Sequence, residues 1–386
     1  MKFNYYNPTR LIFGNGKVKE TVDYIPKNIK KVLIHYGSNR MIDDGTIPEI
    51  IKKLKAKKIE YKLLGGVVAN PRLQKVKEGI ELVKDNDIDF ILAIGGGSVI
   101  DSAKAISAGY NYDGDIWDIF IGKAKVLEEN LLPLGVVLSF PATGSEDSRG
   151  SVINNEKTGE KRSIGSDYLR PAFSILDPEL TRTLPRRQRF AGIVDMFSHI
   201  LERYMEDNDD YGSMDYMSEG LMKNIIEMAY ILKDDELNIK ALEEIMLSST
   251  LAHNGILGLG RVQDWASHNI AHELSALYDS IHGETLSIIF PAWMEYVKDV
   301  NPKRFIRLGQ KVFDLGEDIA PEDTIEAFRT FLRDINMPIY LEDLKIGEDD
   351  IELMADKCTK YNDIGSFKKL NKKDIINIYK IAAKSK

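Results

Sequence analysis

Cysteine is almost missing from this chain: Cys358 stands alone among 386 residues. An internal disulfide and a cysteine-built metal site are both excluded. Long apolar runs are missing as well. The opening MKFNYYNPTR has no apolar core of a signal peptide, and no stretch approaches the ~20 apolar residues that cross a bilayer. A cytoplasmic protein is expected. Nor is there a surplus of positive charge. The formal net charge of -8 at pH 7 argues against a nucleic-acid partner. What remains, 43% hydrophobic and 29% charged residues, is the balance of a soluble globular protein. A chain of 386 residues exceeds the usual single core, so two domains are expected.

The first half alternates short apolar runs with amphipathic stretches. Val32 to Tyr36, Tyr61 to Leu64, Phe90 to Ile94, Leu134 to Leu138 and Phe173 to Leu176 read as strands. Between them lie helical patterns such as Ile47 to Lys57 and Leu73 to Lys84. This alternation predicts a mostly parallel sheet with helices on both faces. From Pro185 onward nearly every segment has helical periodicity, with breaks expected near Asn208, Asp234, Gly258, Pro291, Pro302 and Pro338. The expected domains are therefore an α/β domain over residues 1–184 and an all-helical domain over residues 185–386.

Chemistry concentrates in DWASHNIAHELSALYDSIHGETLSIIFP, which holds His268, His272 and His282, three of the six histidines. His268 and His272 are four apart in an apolar-periodic run, so both imidazoles leave one helix face. His282 precedes Gly283, where a break can turn it back towards them. Upstream, AGIVDMFSHILERY places Asp195 and His199 four apart on one buried-looking face. A buried carboxylate is costly unless paired or coordinated. Two such half-sites in one chain suit a divalent metal.

Phosphate-binding signals lie in the first half. Phe90 to Ile94 runs into Gly95, Gly96, Gly97 and Ser98, then into a helix from about Val99. Glycines let backbone approach a pyrophosphate, and a helix N-terminus offers free amides and positive dipole. SFPATGSE, Ser139 to Glu146, is a second candidate loop.

The ordered set NPTRLIFGNG, GGGSVIDSAK, ATGSE, DPELTRTLP, DMFSH and SHNIAHELSALYDSIHG resembles the metal-dependent group III alcohol dehydrogenases, often called iron-containing. Within them it is most similar to the butanol-dehydrogenase branch. The match runs collinearly from about Asn7 into the 290s. The resemblance implies a Rossmann-like α/β N-terminal domain followed by an all-α C-terminal domain, the dehydroquinate synthase-like architecture. It also implies a homodimer acting on small aldehydes and alcohols. Asp195, His199, His268 and His282 match the four metal-ligand positions, and His272 matches a histidine near the substrate that can take part in proton relay. Gly96, Gly97, Ser98 and Asp101 fall where the family holds the pyrophosphate. Asn70, Ser139, Thr143 and Lys161 match further cofactor contacts. His35 and His253 are read as structural.

NAD-specific relatives resemble one another in carrying an Asp after the first strand, where this chain has Gly37. Without that carboxylate, and with Ser38, Asn39 and Arg40 as donors, NADP(H) is expected over NAD(H). The metal is expected to be Fe(II) first, with Zn(II) or another divalent ion second. It would act as a Lewis acid on the oxygen of an aldehyde or alcohol while nicotinamide exchanges a hydride with the adjacent carbon. Trp265, Phe140, Trp293 and Tyr278 are aromatic candidates for the substrate pocket. One stretch departs from the pattern: Asp147, Ser148, Arg149 and Gly150 stand where relatives continue with an apolar residue and Asn or Thr. The rival reading is a lyase or a polyol or sugar-phosphate enzyme, because dehydroquinate synthase and the glycerol dehydrogenases resemble this chain in fold and metal placement. Such a substrate calls for Lys and Arg near the metal helices, where Arg186, Arg187, Arg189 and Arg261 are the candidates.

Overall fold

Phe90 to Ile94 is apolar at every position, a pattern that suits a strand covered on both faces. In the computed structural model, which describes residues 2–383, it lies inside a sheet. The strands of the first half are β1 (Arg10–Phe13), β2 (Lys31–Tyr36), β3 (Glu60–Leu64), β4 (Phe90–Gly96), β5 (Leu134–Phe140), β6 (Gly150–Asn155), β7 (Glu160–Gly165) and β8 (Phe173–Leu176). Six of them form one sheet in the order β1-β8-β5-β4-β2-β3, and every pairing in it is parallel. The other two, β6 and β7, make an antiparallel hairpin. The helices of this half are α1 (Arg40–Asp43), α2 (Thr46–Ala56), α3 (Leu73–Asp85), α4 (Gly97–Gly109) and α5 (Trp117–Phe120). Val32, Ile34, Leu92 and Ile94 share a core with Ile47, Ile50 and Leu54 of α2. The alternate residues Leu33, Ile91 and Ala93 are fully buried on the opposite face.

The five expected strands are all present. The expected set omitted β1 and the hairpin. β1 is a four-residue edge strand with one buried residue, and β7 is polar along most of its length. β2 and β4 are neighbours, with Tyr36 opposite Ile94, while β3 continues the sheet to one side and β5 to the other. Strand order reverses at this point, and the carboxyl ends at such a reversal are where α/β sheets bind ligands. Gly37 and the Gly95 to Ser98 turn both stand there.

Residues Tyr6–Thr183 form one compact unit, and Leu184 onward, with the residues before Tyr6, form the other. The second unit is helical: α6 (Arg186–Tyr204), α7 (Ser213–Asp234), α8 (Ile239–His253), α9 (Ala266–Tyr278), α10 (His282–Val297), α11 (Pro302–Val312), α12 (Pro321–Asp334), α13 (Ile351–Cys358) and α14 (Lys372–Ala383). Its core runs through α6 and α10. Phe197 stacks on Phe328 at 5.3 Å, and Phe290 meets Trp293 at 5.5 Å. The break expected at Pro291 does not occur, since Pro291 lies inside α10. Its missing N–H leaves the Ser287 carbonyl without a helical donor, but every residue from Gly283 to Met294 is buried, and that packing holds the helix. Pro302 instead opens α11, where a proline lacks nothing the helix needs. Among the described residues, no helix is long and apolar enough to cross a membrane.

His35 joins two layers of the first unit. Its Nδ1 lies 2.9 Å from the Leu64 carbonyl and its Nε2 2.9 Å from Ser102 Oγ of α4. A carbonyl only accepts, so Nδ1 carries the proton and the neutral ring satisfies both partners. Burial pushes its pKa from 6.5 down to about 4. The unfolded chain therefore binds the extra proton first, and stability present above pH 6.5 is lost as pH falls towards 4. The full effect is roughly 3 kcal/mol. Replacing His35 with Asn should lower the melting temperature at neutral pH and flatten its decline between pH 6.5 and 4. An undiminished decline in thermal scans of the variant would show that another group causes it.

Candidate metal centre

Three helical imidazoles converge on one carboxylate oxygen. Asp195 and His199 leave the same face of α6, and His199 Nε2 lies 3.7 Å from Asp195 Oδ1. His268 Nε2 from α9 and His282 Nε2 from α10 each lie 3.9 Å from that oxygen. Ligand atoms of Asp195, His268 and His282 fall within 4.8 Å of one another. Asp195, His199 and His268 are buried, and His282 is partly exposed. Asp195 Oδ1 and His268 Nε2 have no hydrogen-bond partner among the described residues. Leaving such atoms unpaired costs about 1–3 kcal/mol each. A divalent cation suits these oxygen and imidazole donors, so the residues fit the metal that the sequence implies.

Glu202 builds the centre, although sequence reasoning overlooked it. One turn after His199 on α6, it is fully buried. Its Oε1 accepts His268 Nδ1 at 2.8 Å and the His268 backbone N–H at 3.0 Å, and its Oε2 accepts the Trp265 N–H at 2.7 Å. One carboxylate thus caps the start of α9, favours its dipole and fixes the His268 ring so that Nε2 faces Asp195. The signal was present in the spacing, since Glu202 is seven residues from Asp195 and three from His199. Trp265 holds the left-handed conformation at φ 64°, uncommon for a bulky residue. Arg203 donates to the His199 carbonyl at 2.6 Å and lies 4.7 Å over the Trp265 ring.

Charge follows this geometry. Burial lowers the His199 pKa well below its ordinary value, and His253, His268 and Arg203 nearby add to the effect. Burial also opposes a charged His268, but Asp195 and Glu202 outweigh it and raise that pKa. Asp264 rises to about 6, through burial first and the Glu202 charge second.

His282 is placed differently from the way the sequence suggests. The break falls at Asp279, left-handed at φ 50°, and Gly283 lies inside the first turn of α10. A β-carbon at Gly283 would stand 1.9 Å from the Ala191 carbonyl oxygen, so only glycine permits α10 to approach α6 this closely. Arg187 of α6 clamps Glu284 at two points, one with Nη2 2.7 Å from Oε2. His272, one turn beyond His268, has its ring 4.9 Å from that of His282 and 6.5 Å from that of His268. Of the proposed aromatic lining, Trp293 is wholly inside the core, and Tyr278 donates to Asp350 at 2.7 Å. Trp265 stands 5.1 Å from His268.

Gly37, Ser38, Gly96 to Ser98 and Ser139 sit at the carboxyl ends of the parallel strands, while Asp101 is on α4 and Lys161 on β7 of the hairpin. Gly96 precedes α4, and Gly97 and Ser98 form its first residues. A β-carbon at Gly97 would lie 2.3 Å from Thr143 Oγ1, and one at Gly96 2.9 Å from Phe140 Cβ. These glycines therefore also let the Ser139 to Thr143 loop close on the turn. Asp101 accepts Ser145 Oγ at 2.6 Å and the Val152 N–H at 2.9 Å, so both its oxygens have internal partners. Lys161 donates to Asn70 Oδ1 at 2.9 Å, which brings those two candidates together. Arg40 donates to Thr183 Oγ1, to the Leu180 carbonyl at 3.1 Å and to the Ser139 carbonyl at 3.4 Å; Ser38 Oγ accepts the Arg40 N–H at 3.4 Å. At Gly37 a β-carbon would meet the Val67 carbonyl oxygen at 3.2 Å. In the divergent stretch, Asp147 is buried and accepts Asn7 Nδ2 at 2.9 Å. Ser148 and Gly150 supply carbonyls to the buried Lys104 at 2.8 and 2.9 Å.

Two family descriptions match the chain: "Iron-containing alcohol dehydrogenase" over residues 8–178, and "Fe-containing alcohol dehydrogenase family, C-terminal" over residues 189–383. The probable NADH-dependent butanol dehydrogenase 2 of Bacillus subtilis is 42% identical over 97% of this chain and 98% of its own. The NADPH-dependent aldehyde reductase YqhD of Escherichia coli is 33% identical over 93% of each chain. The crystal structure of NADH-dependent butanol dehydrogenase A from Thermotoga maritima superimposes with a TM-score of 0.95 at 39% identity, covering 99% of both chains.

Replacing Gly283 with Ala should force α10 away from α6 and carry His282 with it. The expected loss is about 1–3 kcal/mol of stability, together with most of the metal retained through gel filtration. Stoichiometric metal in a folded variant would contradict this account of how His282 is held.

Proposed function

The chain belongs to the iron-containing alcohol dehydrogenase family, and from that footing we propose that it interconverts short-chain aldehydes and primary alcohols, butanal and butanol among them, by hydride transfer with NADP(H). The observation that carries this reading is the buried convergence of His199, His268 and His282 on Asp195 Oδ1. Those four residues are the proposed ligands of a divalent ion, Fe(II) first and Zn(II) second. When bound, that ion supplies Lewis acidity towards a carbonyl or alcohol oxygen.

The remaining steps belong to the chain's own groups. Glu202 keeps the His268 proton on Nδ1, leaving Nε2 as a donor of electrons. The N-terminus of α4, with Gly96, Gly97 and Ser98, receives the cofactor's pyrophosphate. Asp101 and Lys104 act there by holding the Ser145 to Gly150 segment in place. Aldehyde reduction consumes one hydride at carbon and one proton at oxygen. His272, partly exposed beside His282, is proposed to relay that proton from solvent.

The charge around the centre supports an uncharged substrate over a sugar phosphate. Arg186 and Arg189 pair with Glu236, Arg187 with Glu284, and Arg261 with Asp215. Each of these four guanidinium groups already has a carboxylate partner, and Arg203, nearer the centre, donates to the His199 carbonyl. The preference for NADP(H) rests on Gly37, where no carboxylate repels a 2'-phosphate. Arg40 is committed to neighbouring oxygens, so the backbone and Ser38 are the proposed contacts.

Protein reconstituted anaerobically with iron or zinc should oxidise NADPH when butanal is added, and the rate should depend on the metal. No loss of NADPH or NADH absorbance at full metal occupancy would favour the lyase reading. Cofactor choice has a separate test. Exchanging Gly37 for Asp should shift the NADPH-to-NADH ratio of kcat/KM roughly tenfold towards NADH. An unchanged ratio in a variant with normal thermal stability would remove Gly37 as the determinant.

A further inference from the structure

Two of the proposed ligand histidines are aimed by different means. Glu202 fixes His268 through a 2.8 Å hydrogen bond to Nδ1. His199 has no such anchor: its Nδ1 is buried and has no hydrogen-bond partner among the described residues. An imidazole without an acceptor can turn about its last side-chain torsion, a broad and soft rotation. The ring must therefore be held by what it packs against.

Three rings enclose it. His268 stacks at 4.8 Å with an interplanar angle of 22°, and Trp265 is tilted at 6.1 Å. His253 comes nearest, meeting His199 edge-on at 4.1 Å and 75°. It is the last residue of α8, and the turn after it is fixed by Asn254 Oδ1, which accepts the Ile256 N–H at 3.0 Å. His253 in turn lies 5.5 Å from Trp265, whose Nε1 donates to Gln263 at 3.0 Å and whose face carries the Arg203 guanidinium. Arg203 closes the loop by binding the His199 carbonyl. Offset and edge-to-face rings favour a defined geometry.

We infer that His253, which no family motif singled out, is a positioning residue for His199. Its ring edge sets the rotation at which His199 Nε2 faces Asp195 Oδ1. The inference rests on the metal reading above. It differs from that reading in predicting which property of residue 253 matters, namely a flat ring rather than a nitrogen ligand.

The test is a titration of metal-free protein with Co(II), read by visible absorption and by competition with a chromophoric chelator. His253→Leu and His253→Asn remove the flat edge and should weaken Co(II) binding roughly ten- to a hundredfold, with an altered absorption band. His253→Phe keeps an edge without a nitrogen and should restore wild-type affinity and spectrum. Melting temperatures of the metal-free variants report the fold separately. Equal affinity and identical spectra in all variants would overturn the positioning role, as would a Phe variant no better than Leu. If wild-type protein itself takes up no Co(II), the metal reading fails and this inference with it.

Discussion

A fully buried carboxylate must be surrounded by donors or it destabilises the protein that contains it, and Glu202 meets that demand three times. The Trp265 N–H, the His268 N–H and His268 Nδ1 all point at it. Its demand for donors couples three otherwise separate features: where α9 begins, the left-handed turn at Trp265, and the direction of the His268 ring. α6, α9 and α10, which carry these groups, share one apolar core. The candidate metal-centre residues are carried on these helices.

The nucleotide half uses a similar economy with opposite charge. Lys104, fully buried on α4, binds the carbonyls of Ser145, Ser148 and Gly150, and burial lowers its pKa to about 8. Asp101 one turn earlier binds Ser145 and Val152. Together they fasten the segment after β5 onto α4, while glycines at 96 and 97 let the preceding loop close in. The divergent residues Asp147 to Gly150 belong to this fastening. Asp147 points to Asn7, and Arg170 takes its carbonyl.

Local periodicity carried most of what the sequence revealed. The five main strands, the Gly95 to Ser98 turn and both pairs of residues four apart follow from patterns within a dozen positions. His268 and His272 are equivalent by spacing alone. The family resemblance assigns them different roles, and the fold places His268 against Asp195 and His272 beside His282. Contacts between distant segments were not legible in this way. Gly283 read as a helix break, because nothing near it in sequence indicates the Ala191 carbonyl. Pro291 read as a stop, because its burial is a property of the assembled core. Glu202 was detectable by its register on α6, yet its partners come from another helix. The short edge strand β1 and the polar hairpin lacked the apolar contrast that marks a strand.

The pairing of β1 with β8 brings Arg10 opposite Phe173 and Phe13 opposite Leu176. The first strand of this unit therefore has no place in the sheet until the unit's last strand has been synthesised. At ~5–20 residues per second this leaves Ile12, the one buried residue of the strand, waiting for several seconds or more. Closing so long a parallel connection is also slow once the chain is complete. The sheet edge is thus the latest part of that unit to form during biosynthesis. Until then Ile12 lacks the apolar cover that β8 and its neighbours provide, whereas Leu11 and Phe13 stay exposed before and after.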